Sequence, residues 1–135
     1  MATLFTKIIE GDIPGVFVWK DDDCVAFMSI NPLRAGHVLV VPRMEVDHWL
    51  DCPDELRDHL MGVARKIGKA QQQVYRSEKI GLMIAGLEVP HLHIHVVPID
   101  SVNDLDFANA AVSVDADELE QEAGSIRYVL GSTGP

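Results

Sequence analysis

The segment His91-Leu92-His93-Ile94-His95-Val96-Val97-Pro98 holds three of the chain's 6 histidines on alternate positions. In a strand, successive side chains point to opposite faces. His91, His93 and His95 therefore share one face, and Leu92, Ile94 and Val96 share the other, where they can pack beneath a helix. A neutral imidazole can attack phosphorus while a neighbour helps the leaving group. Side chains two residues apart on one face lie about 7 Å apart at the backbone, a gap one phosphate can bridge. A second use is zinc ligation, although converging three successive outward positions on one ion strains a strand. The third is a solvated polar face of an edge strand. The apolar back of this segment favours the first. His37, after Ala35-Gly36, can lie beside the triad if its strand also lines the site. His48 and His59 have no distinctive context, and His59 is expected on a helix surface. Trp19 and Trp49 are expected to pack rather than to hold ligand.

The elements that would position these residues follow from local patterning. Residues 16–20 and 24–30 read as strands joined by the turn Asp21-Asp22-Asp23. Asn31-Pro32 and Ala35-Gly36 mark a loop, and residues 37–42 read as a central, β-branched strand. A long helix follows, with Asp51 as its cap and Pro53 in its first turn. Leu56, Leu60, Val63, Ile67, Ala70 and Val74 form its apolar stripe. Lys66, Lys69 and Arg76 lie toward its C-terminal end. Residues 80–86 and 91–97 read as strands, the second ended by Pro98. Residues 100–106 read as an acidic loop, and 115–130 as a last helix with Leu119, Ile126 and Val129 inward. The fold class expected is α+β: a mainly antiparallel sheet packed with a long central helix and a C-terminal helix. One domain is expected over residues 1–130, with a mobile tail at 131–135.

The chain has 135 residues, 47% of them hydrophobic, enough for a buried core. Its net charge of -10 disfavours a nucleic-acid partner, though not a small phosphate ligand. No stretch suits a membrane span, and the N-terminus lacks a signal-peptide pattern, so a cytoplasmic location is expected. Cys24 and Cys52 are then expected as free thiols.

The pattern His-φ-His-φ-His-φ-φ, with φ apolar, resembles the signature of the histidine triad (HIT) family. The resemblance extends to Phe5 through Pro14, to Asp22-Asp23 through Asn31-Pro32, to Gly36-His37-Val38-Leu39-Val40-Val41-Pro42 and to Ala85-Gly86. It implies a HIT-like fold, a homodimer, and hydrolysis or transfer of nucleotidyl groups at the α-phosphate. His93 would be the nucleophile and form a nucleotidyl-histidine intermediate. His95 would contact the phosphate and assist the leaving group, His91 would complete the polar face, and His37 would support the triad. Phe27 and Ile30 would line the base and ribose pocket. No cofactor is implied.

The chain departs from the family pattern at several positions. Thr3 and Thr6 stand where many bacterial members carry Cys-x-x-Cys, and Glu45 where many carry a histidine. In those members these residues and the first triad histidine hold a structural zinc. Threonine cannot replace thiolate toward zinc, so none is expected here. Ser29 stands where an acidic or amide residue often binds the ribose, and Leu87 where a polar residue often contacts phosphate. The expected substrates are nucleotide phosphates such as dinucleoside polyphosphates or nucleoside phosphoramidates. Two readings compete: a nucleotide-binding or signalling module with little turnover, and a metal-dependent site on the triad.

Overall fold

The structure, a computed structural model, describes residues 2–133. Five strands form one antiparallel sheet: β1 (Phe17–Lys20), β2 (Cys24–Met28), β3 (Val38–Pro42), β4 (Lys79–Met83) and β5 (Ile94–Ile99). Their spatial order is β1-β2-β3-β5-β4, so β5, which carries His95, lies inside the sheet. Helices α2 (Asp54–Val74) and α3 (Ala116–Thr133) cover one face, and the short helix α1 (Leu4–Ile9) sits on the other. The α+β class and the antiparallel sheet match the sequence reading.

Both faces of β2 and β3 are covered, which explains their nearly continuous apolar runs. Ala26, Met28, Val38 and Val40 join Leu60, Val63, Ile67, Ala70, Leu119 and Ile126 in the larger core. Val25, Phe27, Leu39 and Val41 point the other way and pack with Phe5 of α1. Leu92, Ile94 and Val96 are buried on the helix side, as alternation requires. Burial of each such side chain contributes about 1.5–3 kcal/mol.

Several boundaries differ from the sequence reading. Asp51 does not cap α2; it ends a 3-10 turn, Trp49–Asp51, capped by the His48 ring. Cys52 precedes a proline and is extended, and Pro53 is extended too, so α2 starts only at Asp54. Arg76 lies beyond the end of α2. β5 begins at Ile94, after His91 and His93. It also runs through Pro98 to Ile99 rather than stopping there. Pairing with β3 ends at Val96, so at Pro98 the strand is flanked by β4 alone and tolerates a missing N–H. The acidic loop contains the 3-10 turns Val102–Leu105 and Phe107–Asn109. α3 continues to Thr133, past the expected end at 130, and Gly134 and Pro135 lie outside the described residues. Trp19 is buried as expected, whereas Trp49 is half exposed. Cys24 and Cys52 are free and buried.

Candidate active site

A cavity of about 700 Å³ opens on the sheet face that carries α1. That volume suits a small-molecule ligand. Phe5 and Ile8 of α1, Phe27 and Ser29 of the β2 end, Leu39 of β3, and the 107–116 segment form its walls. His37, His93 and His95 line it together. The rings of His93 and His95 are 4.9 Å apart between centroids, and those of His37 and His95 are 5.1 Å apart.

Main-chain atoms decide which ring nitrogen carries each proton. The Leu33 N–H donates to His37 Nδ1 at 3.0 Å, so the His37 proton is on Nε2. That N–H donates to His95 Nδ1 at 2.9 Å, which leaves the His95 proton on Nε2. His93 Nδ1–H donates to the His91 carbonyl at 2.7 Å, which leaves His93 Nε2 with a free lone pair. The face thus presents a lone pair on His93 beside an N–H on His95. Burial lowers the pKa of all three rings: His37 to about 3, with the neighbouring His95 adding to the effect, and His95 to about 4, with His93 adding. His93 is lowered chiefly by burial. At neutral pH the rings are uncharged, the state in which His93 is a nucleophile and His95 a hydrogen-bond donor.

Two devices seat this relay. Gly36 has φ +84°, and a Cβ there would run into the Tyr75 ring, so the loop entering His37 needs glycine. The buried Gln71 of α2 donates through Nε2 to the carbonyls of Gly36 and Val96, both at 2.8 Å. It ties the backbone beside His37 to the backbone beside His95. Sequence reasoning missed Gln71. Its signal was a polar side chain four residues after Ile67, within the apolar stripe.

His91 is placed differently from its two neighbours. It is fully buried beneath α1. Its Nε2–H donates to the Pro42 carbonyl at 2.7 Å, and its Nδ1 accepts from the Thr3 hydroxyl at 2.6 Å. Both nitrogens are committed, so the three triad rings cannot converge on one ion. Thr3, Thr6 and Glu45 do meet at His91: Glu45 Oε1 accepts from the Thr3 N–H at 3.1 Å, and the Thr6 hydroxyl bonds the same carboxylate. Two hydroxyls, a carboxylate and an imidazole whose Nδ1 is occupied do not fit a structural zinc.

Of the other expected ligand contacts, Phe27, Ser29 and Ile30 line the cavity. The Ser29 hydroxyl accepts from the Asn31 N–H at 3.2 Å and retains its own proton for donation. Leu87 does not join them. It is 95% exposed, while the following Glu88 and Val89 face the cavity. The turn at Gly86, φ +76°, precedes this change of direction. The sequence reading also missed Phe107, whose ring meets the His95 ring edge-on at 5.3 Å. Asn31 docks that segment by donating to the carbonyls of Ala111 and Val112.

Comparison with protein families matches residues 10–102 to the HIT domain. An uncharacterized HIT-like protein of Borreliella burgdorferi is 36% identical over 102 residues, covering 70% of this chain and 73% of that protein. An adenosine 5'-monophosphoramidase of Saccharomyces cerevisiae is 33% identical over 98 residues, covering 72% of this chain and 62% of the yeast protein. A crystal structure of a Hit-like protein from Bartonella henselae, described as involved in cell-cycle regulation, superposes with a TM-score of 0.84. It is 31% identical and covers 95% of this chain and 96% of its own.

Proposed function

This chain belongs to the HIT domain family, and from that premise we propose that it hydrolyses or transfers nucleotidyl groups at the α-phosphate through a nucleotidyl-His93 intermediate. One observation carries the reading: the His91 carbonyl holds the proton of His93 on Nδ1, leaving the Nε2 lone pair free beside the His95 N–H. The nucleoside lies against Phe5, Phe27 and Ile8, with Ser29 and Ile30 at the ribose. His93 Nε2 attacks phosphorus, and the bond to the leaving group breaks. His95 Nε2–H hydrogen-bonds the phosphoryl group and assists departure. His37 orients His95. Water then attacks the adduct and releases His93. Two easier displacements replace one difficult one, and pre-aimed donors stabilise the developing charge. His91 orients rather than reacts, since neither of its nitrogens is free.

The yeast relative's name motivates nucleoside phosphoramidates as first substrates. The test is to mix the protein with adenosine phosphoramidate, quench in alkali, and map the adduct by mass. A nucleotidyl group on His93 is expected. Turnover without such an adduct, or an adduct elsewhere, removes His93 as nucleophile.

A second reading, a nucleotide-binding module with little turnover, draws on the cavity lining, which contains Glu88 but no Lys or Arg among the described residues. Tight AMP or GMP binding with no turnover across a substrate panel would favour it. We further propose a single domain over residues 1–130 that forms a homodimer in the cytoplasm. Strand β4 is an unpaired edge of the sheet with Leu82 exposed on it, a feature that invites pairing with a second copy. No helix of the described residues is long and apolar enough to cross a membrane.

A further inference from the structure

We propose that Thr3 is a positioning residue for His93, acting through the seating of the His91 ring. Regular sheet bonding is absent at the first two triad positions, since β5 starts only at Ile94. His91 and His93 are held instead by individual bonds. A carbonyl oxygen only accepts, so the 2.7 Å contact to Pro42 fixes the His91 proton on Nε2. His91 Nδ1 is then an acceptor, fully buried, and the Thr3 hydroxyl satisfies it at 2.6 Å. The His91 carbonyl in turn holds His93 Nδ1–H at 2.7 Å. One hydroxyl thus stands at the head of a chain that ends on the free lone pair.

Thr3 is itself held firmly. Its N–H donates to Glu45, and its hydroxyl oxygen accepts from the Thr6 N–H at 3.1 Å, capping α1. That helix carries Phe5, whose ring meets His93 edge-on at 4.9 Å and His91 at 5.8 Å. The same residue therefore seats the cavity wall and the nucleophile's support. Loss of the hydroxyl leaves a buried acceptor unpaired. The His91 ring must then turn toward another donor, and that turn moves the main chain whose carbonyl holds His93.

Three variants separate this role from simple capping. Thr3→Ser keeps both the cap and the donor. Thr3→Asp keeps the cap acceptor but, ionised, has no proton to give. Thr3→Val keeps the shape and loses both. The kinetic arm rests on His93 being the nucleophile. There kcat should fall about 10- to 100-fold in Thr3→Val and Thr3→Asp, with KM changed less than about twofold, and Thr3→Ser should stay near wild type. The second arm does not rest on activity. Long-range 1H–15N spectra of histidine-labelled wild-type protein should show His91 protonated on Nε2 and His93 on Nδ1. In the Val and Asp variants the His91 pattern should change and the His93 Nδ1 proton should exchange faster. A wild-type His91 protonated on Nδ1, or identical histidine spectra in all variants, overturns the proposal. So does a kcat in Thr3→Val and Thr3→Asp equal to that of Thr3→Ser. A wild type that turns over no nucleotide substrate would count against the functional reading alone, and the spectra would still decide the role of Thr3.

Discussion

Two of the polar clusters built around histidine, one at the β1–β2 turn and one in the cavity, are wired in opposite ways. At the β1–β2 turn, Asp21 gathers donors. Its carboxylate accepts from Trp19 Nε1 and His59 Nε2, both at 2.7 Å, and from the N–H groups of Asp23 and Cys24 at 2.8 Å. Burial alone would raise the Asp21 pKa, but the bonds from Trp19, the Asp23 and Cys24 backbone, and His59 hold it well below the usual carboxylate range. The buried Cys24 thiol beside it is pushed up to about 12, first by burial and then by Asp21. The cluster fastens the hairpin to α2 around a fixed negative charge. In the cavity no carboxylate among the described residues hydrogen-bonds His37, His93 or His95. Their partners there are a backbone N–H, a carbonyl and each other. A carboxylate would favour a second proton on a ring, and that proton would take up the lone pair. Neutral backbone partners orient imidazoles without charging them.

The largest contrast should come from exchanging which histidine is lost. His93→Ala is expected to lower kcat by about 10⁴-fold or more while the fold persists, whereas His59→Ala should leave kcat unchanged and lower the unfolding midpoint. Steady-state kinetics and circular dichroism on both variants check this. Equal kinetic losses would show that the clusters are not separable. Next in size, Asp21→Asn should cost about 1–3 kcal/mol in urea unfolding, with wild-type kcat at 25 °C, because its charged hub loses acceptor strength. An unchanged midpoint would mean that the hub holds nothing.

A third contrast is one of pH. His37 and His95, with pKa values of about 3 and about 4 against an ordinary 6.5, bind protons more readily unfolded than folded. Their contribution to stability is complete above pH 6.5 and is lost as pH falls toward 4. Asp21 is depressed below its ordinary 3.8, so its contribution survives that window and is lost only at lower pH. Urea midpoints measured from pH 7 downward should therefore fall first through the cavity and later through the hairpin. In His37→Asn, which cannot titrate at that position, the first fall should be shallower. Parallel curves for variant and wild type would remove the cavity from the effect.

Much of this was legible in the sequence because it rests on periodicity. Alternation placed Leu92, Ile94 and Val96 in the helix-side core and His93 and His95 on the cavity face. The stripe from Leu60 to Ala70 oriented α2. What escaped depends on contacts between distant segments. α1 has only six residues and a capping threonine as its local signal, and the Thr3–His91 bond, 88 residues apart in sequence, has none. The place of Leu87 before the triad points to the pocket, yet the turn at Gly86 sends it outward. Gln71 looked like an ordinary polar helix residue, and only the meeting of β3, β5 and α2 gives it two carbonyls to hold.

The bond from the Leu33 amide to His37 has a consequence for how such a site drifts. The proton that His95 offers is specified by a backbone group, which every residue except proline supplies. Position 33 can change side chain after side chain, subject to packing, without altering the message passed along the relay. A comparison of side chains alone would miss the instruction, and a single proline there would erase it.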